Sequence, residues 1–112
     1  MHEHGMMHAA FHQAVDAAGR AGAQRITALN MVFHQGGHAS IEAAQLHWED
    51  IRRGSIAAEA VLNFRIVPPQ QRCWECSEVF TGVGETCPKC GSESVLPLPP
   101  DNELYLESIE VE

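Results

Sequence analysis

Four cysteines carry the clearest chemistry in this chain. Cys73, Cys76, Cys87 and Cys90 stand as C-x2-C, ten intervening residues, then C-x2-C. Each pair can fold into a knuckle that points two sulfurs at one tetrahedral ion. Pro88 stiffens the second knuckle, and Gly91 after Cys90 permits the tight turn that brings backbone N–H groups toward a thiolate. Two disulfides are the plainer alternative, but disulfides are rare in a reducing cytosol, where closely paired cysteines more often hold metal. An all-sulfur site suits zinc and leaves no open position for catalysis. Iron in a rubredoxin-type centre uses the same geometry. No other redox motif accompanies the knuckles, so the expectation is one structural zinc. Zinc ribbons occur in many unrelated proteins, so the site by itself assigns no function.

The second feature is the start, Met1-His2-Glu3-His4. A free α-amino group is a good ligand once it loses its proton, and His2 places an imidazole one residue away. With the intervening backbone amides these groups make a nitrogen-rich site of the kind Ni(II) and Cu(II) favour. A second residue as bulky as His2 hinders removal of Met1. His4, His8 and His12 follow at i, i+4 and i+8 along one helix flank. They can extend a metal surface, although a solvated flank is the plainer reading. His34 and His38 flank a Gly36-Gly37 turn, and His47 reads as a packed helix residue.

These sites need a scaffold, and 112 residues provide one ordinary domain or a small domain with a stapled lobe. The chain is 45% hydrophobic, which marks it as globular. No apolar run approaches the roughly 20 residues that cross a bilayer. The first residues lack the basic and apolar regions of a signal peptide, so the expected location is cytoplasmic. Net charge is −8, from 7 Lys and Arg against 15 Asp and Glu. Four thiolates on one zinc ion would add about −2. Nucleic-acid binding runs on Lys and Arg displacing counterions, so DNA and RNA are not expected partners.

The hydrophobic pattern predicts a helix over 4–19, where Met7, Phe11, Ala14, Val15 and Ala18 share a face and Gly19 and Gly22 end it. A strand follows over 25–33, apolar on both faces as if covered on each side. Ser40 is a candidate N-cap for a second helix over 41–53. A second strand spans 60–67, closed by Pro68-Pro69. Residues 70–96 hold the cysteines and few large apolar side chains, so this segment needs a staple. The tail over 103–112 reads as a third strand. Its apolar phase slips near Glu107-Ser108, which predicts a bulge or a change of sheet face. The expected architecture is α+β: a small sheet of about three strands with two helices, plus an inserted zinc-ribbon-like lobe built on the four cysteines. Residues 1–69 and 101–112 form one expected domain and 70–100 the other.

The start MHE, the run GSIAAEAVLNFRIVP before the first pair, CPKCGS at the second, and the end ELYLESIEVE occur together and in order. In this the chain resembles the HypA/HybF family of nickel metallochaperones for [NiFe]-hydrogenase maturation, over essentially its whole length. The resemblance implies weak Ni(II) binding through the N-terminus, with His2 as the essential ligand and the Met1 amine and Glu3 backbone completing much of the site. It implies structural zinc on Cys73, Cys76, Cys87 and Cys90. It also implies a GTPase partner, HypB, and delivery of nickel to the hydrogenase large-subunit precursor, with urease as a second client in some relatives. The family's first helix usually continues with residues such as Leu-Ser-Ile, where this chain reads His-Gly-Met-Met-His.

Three other classes compete with metal delivery. A zinc-ribbon adaptor would bind proteins and no nickel. A rubredoxin-like carrier would hold iron with a reversible one-electron couple. An enzyme would need a catalytic constellation, and the sequence has no Gly-rich phosphate loop, no HExxH, and no nucleophile with a base beside it. The expectation is a non-enzymatic protein with zinc as resident metal and nickel as cargo.

Overall fold

The structure, a computed structural model, describes residues 2–82, 84 and 86–112, with His2 described by its backbone alone. In chain order the elements are α1 (His2–Arg20), β1 (Ile26–His34), α2 (Ile41–Ile51), β2 (Val61–Val67), β3 (Gln70–Cys73), β4 (Val79–Thr81), β5 (Val95–Leu98) and β6 (Leu104–Val111). They build two three-stranded sheets. One has the order β2-β1-β6 and the other β4-β3-β5. The chain leaves the first sheet after β2, makes the whole second sheet, and returns as β6. The cysteine lobe is therefore an insertion, as the pattern predicts. Its three short strands carry no periodic apolar signal, and the sequence pattern does not reveal them.

β1 is the central strand, parallel to β2 and antiparallel to β6. Parallel neighbours need a crossover, and α2 supplies it. Three apolar rows cross the sheet: Leu62–Leu29–Ile109, Phe64–Met31–Leu106 and Ile66–Phe33–Leu104. Leu29, Met31, Phe33 and Leu104 are buried in one core with Met7, Ala10, Ala14 and Ala18 of α1 and Ala44 and Trp48 of α2. Residues 104 and 106 have the opposite parity to 109, so a regular strand would turn Ile109 away from the helices. The register shift, with Asn30 opposite Ser108 and Met31 opposite Leu106, leaves Glu107 as the extra residue. This bulge returns Ile109 to the core side.

The other face of β1 differs from expectation. Among the described residues, no second layer of apolar elements covers it. Polar cross-strand pairs lie there instead. Asn30 Nδ2 donates to Ser108 Oγ at 3.0 Å and Asn63 Nδ2 donates to Asn30 Oδ1 at 3.0 Å. Arg65 Nη2 donates to Glu107 Oε2 at 2.7 Å, which raises the Arg65 pKa and holds the Glu107 carboxyl below its usual range. Val32, between Arg65 and Tyr105 in register, is nevertheless fully buried. Burial in a strand can come from long neighbouring side chains as well as from a packed layer.

The helices differ little from the sequence reading. α1 starts at His2, two residues early, and Gly19 lies inside it. Its end is set at Gly22, whose φ is +68°. There Ala23 N–H donates to the Ala18 carbonyl at 3.0 Å and Gly22 N–H to the Gly19 carbonyl at 3.2 Å, the Schellman pairing. α2 begins at Ser40, whose hydroxyl accepts the Ala43 N–H at 3.2 Å. Its body stops at Ile51 rather than Arg53.

The whole is long, 54 × 26 × 16 Å, with a radius of gyration of 17.5 Å. A compact domain of this length would have about 13 Å.

Candidate metal centre

Each cysteine pair forms the same turn. Cys73 N–H donates to the Glu78 carbonyl and Ser77 N–H to the Cys73 carbonyl, at 2.9 and 3.0 Å. In the second pair, Cys87 N–H donates to the Ser92 carbonyl and Gly91 N–H to the Cys87 carbonyl, both at 2.8 Å. Ser77 and Gly91 occupy equivalent places and both have positive φ, +64° and +75°. The two knuckles face each other across the lobe. Cys73 Sγ lies 3.6 Å from Cys90 Sγ, and Cys76 Sγ lies 3.6 Å from Cys87 Sγ. All four sulfurs fall within 4.8 Å of one another. A tetrahedral ion with metal–sulfur bonds of about 2.3 Å needs sulfurs about 3.8 Å apart, so the arrangement fits one.

The backbone prepares these sulfurs for charge. Burial would raise the Cys87 thiol. The backbone N–H groups of Cys90 and Lys89 outweigh it, helped by hydrogen bonds from the Cys76 and Cys90 thiols, and bring it down to about 7. The Lys89 N–H lies 3.4 Å from Cys87 Sγ. At Cys90 the Ser92 backbone pulls downward, but burial and the three other sulfurs push the thiol up to about 12. Four thiols in one small space cannot all ionise without a cation between them. A metal ion removes that conflict, because it takes all four as thiolates.

Beside the two linkers to the lobe, where Gly36 approaches Pro69 and Pro100, two carboxylates hold the turn that leads into α2. Glu103 Oε1 accepts the His38 N–H at 2.8 Å and Glu103 Oε2 accepts the Ala39 N–H at 2.9 Å. Glu3 Oε2 accepts the Ser40 N–H at 2.9 Å. These N–H groups are those of the N-cap Ser40 and the two residues ahead of it, at the end of α2 where the helix dipole favours carboxylates. Gly37 is required here because a Cβ on it would meet the Glu103 carboxylate at 1.6 Å. Moving that carboxylate aside would strip two N–H groups of their acceptor. Glu3 thus ties the start of α1 to the start of α2. Among the predicted nickel ligands, Met1 lies outside the described residues, as does the His2 side chain.

The model of a known family, hydrogenase/urease nickel-incorporation metallochaperones of the HypA type, matches residues 1–111. This chain belongs to the HypA family. It is 30% identical to the hydrogenase maturation factor HypA of Caldanaerobacter subterraneus subsp. tengcongensis and 32% identical to the maturation factor HybF of Klebsiella pneumoniae, covering all of both chains in each case. Its fold matches the solution structure of the Ni metallochaperone HypA from Helicobacter pylori, with a TM-score of 0.67, 21% identity and coverage of 97% of this chain and 96% of that one. A second HypA solution structure matches with a TM-score of 0.71 and 22% identity, over 100% and 97% of the two chains. HypA-family membership favours nickel handling for hydrogenase maturation over the zinc-only adaptor and the iron electron carrier.

The HypA-family motifs do not account for every feature of the N-terminal end. The side chain of Glu3 has a structural partner that the sequence reading, which uses only its backbone, does not assign. Glu103 and Gly37 form a pair that is 66 positions apart and invisible to local pattern. His47, a packed helix residue by its sequence position, is half-buried, but its Nδ1 lies 3.3 Å from Nδ1 of His4. Periodicity places His4 and His8 together on α1; only the crossing of α1 and α2 adds His47.

Proposed function

We propose that this HypA-family chain binds Ni(II) at its N-terminus, through the Met1 amine, the His2 imidazole and the Glu3 backbone, and that zinc on Cys73, Cys76, Cys87 and Cys90 is structural. Residues 1–69 and 101–112 are the nickel-binding domain and 70–100 the zinc-binding domain. The chain works in the cytoplasm, catalyses no reaction, and passes nickel to the hydrogenase large-subunit precursor together with the GTPase HypB. Family membership over residues 1–111 carries this reading. The chemistry of the two donor sets supports the division of labour. Four thiolates in a closed shell hold an ion tightly and give it no exchange position. An amine, an imidazole and backbone nitrogen, with water, make a site that can be dismantled at transfer. The Glu3–Ser40 tie supports it too, because it sets the direction of the chain start against the α2 N-terminus.

The test is a nickel titration of zinc-loaded protein with no residue ahead of Met1. In His2→Ala the tightest nickel-binding event should disappear, while zinc content and the helical circular dichroism stay unchanged. An unaltered tight event in His2→Ala overturns the ligand assignment.

A further inference from the structure

We propose that His4 and His47, with His8 beside them, form a second binding site for a divalent first-row transition-metal ion on the seam between α1 and α2, independent of the chain's amino group.

The seam brings three imidazoles together from two elements. Nδ1 of His4 and Nδ1 of His47 face each other at 3.3 Å. The ring centroids of this pair lie 4.9 Å apart, and the His8 ring sits edge-on to His4 with centroids 4.4 Å apart. His4 and His8 stand at i and i+4, the spacing at which a helix presents two imidazoles to one ion. The crossing that adds His47 is fixed below the cluster. Phe11 packs on Trp48 with centroids 6.1 Å apart, and Ala44 and Trp48 are buried in the core. His47 is therefore anchored and half-buried, while His4 is exposed and free to adjust.

The spacing suits coordination. Two nitrogens 3.3 Å apart, each about 2.05 Å from one ion, subtend an angle close to tetrahedral. The right-angle arrangement of an octahedral ion needs them about 0.4 Å closer, a shift an exposed ring can make. Imidazole is a good ligand for nickel, copper and zinc alike, so the class is the imidazole-preferring divalent ions. A protein of net charge −8 concentrates such cations around it. The competing account is a plain hydrogen bond, in which one ring carries its proton on Nδ1 and the other does not. Metal binding and the hydrogen bond make opposite forecasts for ligand removal.

The probe is Ni(II), added to zinc-loaded full-length protein in a background that lacks the proposed amine site. That background is His2→Ala with two extra residues ahead of Met1. We expect it to retain one nickel per chain, measured by equilibrium dialysis. Adding His47→Gln should weaken that nickel by about tenfold or more, the scale on which lost coordination support acts. His4→Gln, at an exposed position, should do the same without touching the core. His12→Gln should leave affinity within about twofold, since its ring lies 6.1 Å from His8 and not at the seam. Bound Ni(II) should broaden the imidazole resonances of His4 and His47 before those of His34. A background protein that takes up no nickel overturns the proposal. So does nickel uptake that neither His4→Gln nor His47→Gln weakens. Because the amine site is absent throughout, neither result bears on the His2 assignment.

Discussion

Ser77 and Gly91 show how a single residue's conformation enters the metal centre. Both close a CxxC knuckle, and both have the left-handed backbone that lets the next residues fold back on the sulfurs. Glycine adopts that conformation freely, but a residue with a Cβ loses roughly 1–2 kcal/mol there. Serine at 77 persists because the turn around it is fixed at both ends, by Cys73 N–H on Glu78 and Ser77 N–H on Cys73. Ser77→Gly should therefore stabilise the metal-loaded lobe. Greater freedom of glycine in the unfolded chain opposes this by roughly 0.5–1 kcal/mol, so the expected net gain is up to about 1.5 kcal/mol. Slower loss of zinc to a chelator would show it, and faster loss would contradict it. The CPKCG spelling of the second knuckle announces its turn residue in sequence. The first knuckle, CWECS, conceals its turn behind a serine, so cysteine spacing reveals the sulfur cluster and not the strain.

At the scale of elements, α1 and β6 explain most of what is legible in the sequence. Met7, Ala14 and Ala18 recur at helical spacing and are all fully buried. Ala10 completes that stripe, where the sequence pattern points to Phe11 and Val15, which are only half-buried. The distinction is one of size. Alanines bring the helix close to the sheet, and the larger residues fill the flanks. Periodicity fixes a face to within a turn and does not fix how closely that face approaches. The phase slip in β6 is legible because parity in a strand is strict: Leu104, Leu106 and Ile109 cannot share a side without an extra residue. The partners of β1's polar face are not, since Asn30, Asn63 and Ser108 meet only through register. Ala14→Leu tests the close approach. Its side chain is fully buried against the core. The added methylenes should destabilise the protein by about 1–3 kcal/mol in chemical denaturation. Ala9→Leu, on the exposed side of α1, should change stability by less than about 0.5 kcal/mol. Equal effects of the two would mean that the alanine stripe does not set the packing.

Across the whole molecule, the two sheets have different sources of stability. The continuous apolar core is drawn from residues 7–60 and from Leu104, with Leu62, Phe64, Leu106 and Ile109 packed against it. No described residue of 70–98 contributes to it. Among the described residues of that lobe the buried hydrophobic ones are Cys73 and Cys87, two of the clustered cysteines, while Trp74, Val79 and Leu96 are exposed. A segment with so little apolar burial cannot by itself offset the entropy of ordering its chain, so a metal ion on the four cysteines would have to supply the difference. Two proline-bearing connections, Pro68-Pro69 and Pro99-Pro100, join the lobe to the first sheet, and neither crosses through the core. Removing the metal with a strong chelator should thus unfold 70–98 and leave the first sheet and its helices intact. The two tryptophans report the halves separately. Trp48 is 3% exposed in the core and Trp74 is 72% exposed in the lobe. After chelation the helical circular dichroism and the buried emission of Trp48 should persist. Amide resonances of residues 70–98 should collapse toward random-coil positions, and those of β1 should stay dispersed. Because β6 follows the lobe in sequence, its continued pairing with β1 is the sharpest check. Loss of β1–β6 protection in hydrogen exchange together with the lobe would mean that the metal holds the entire fold, and that the two sheets are one cooperative unit.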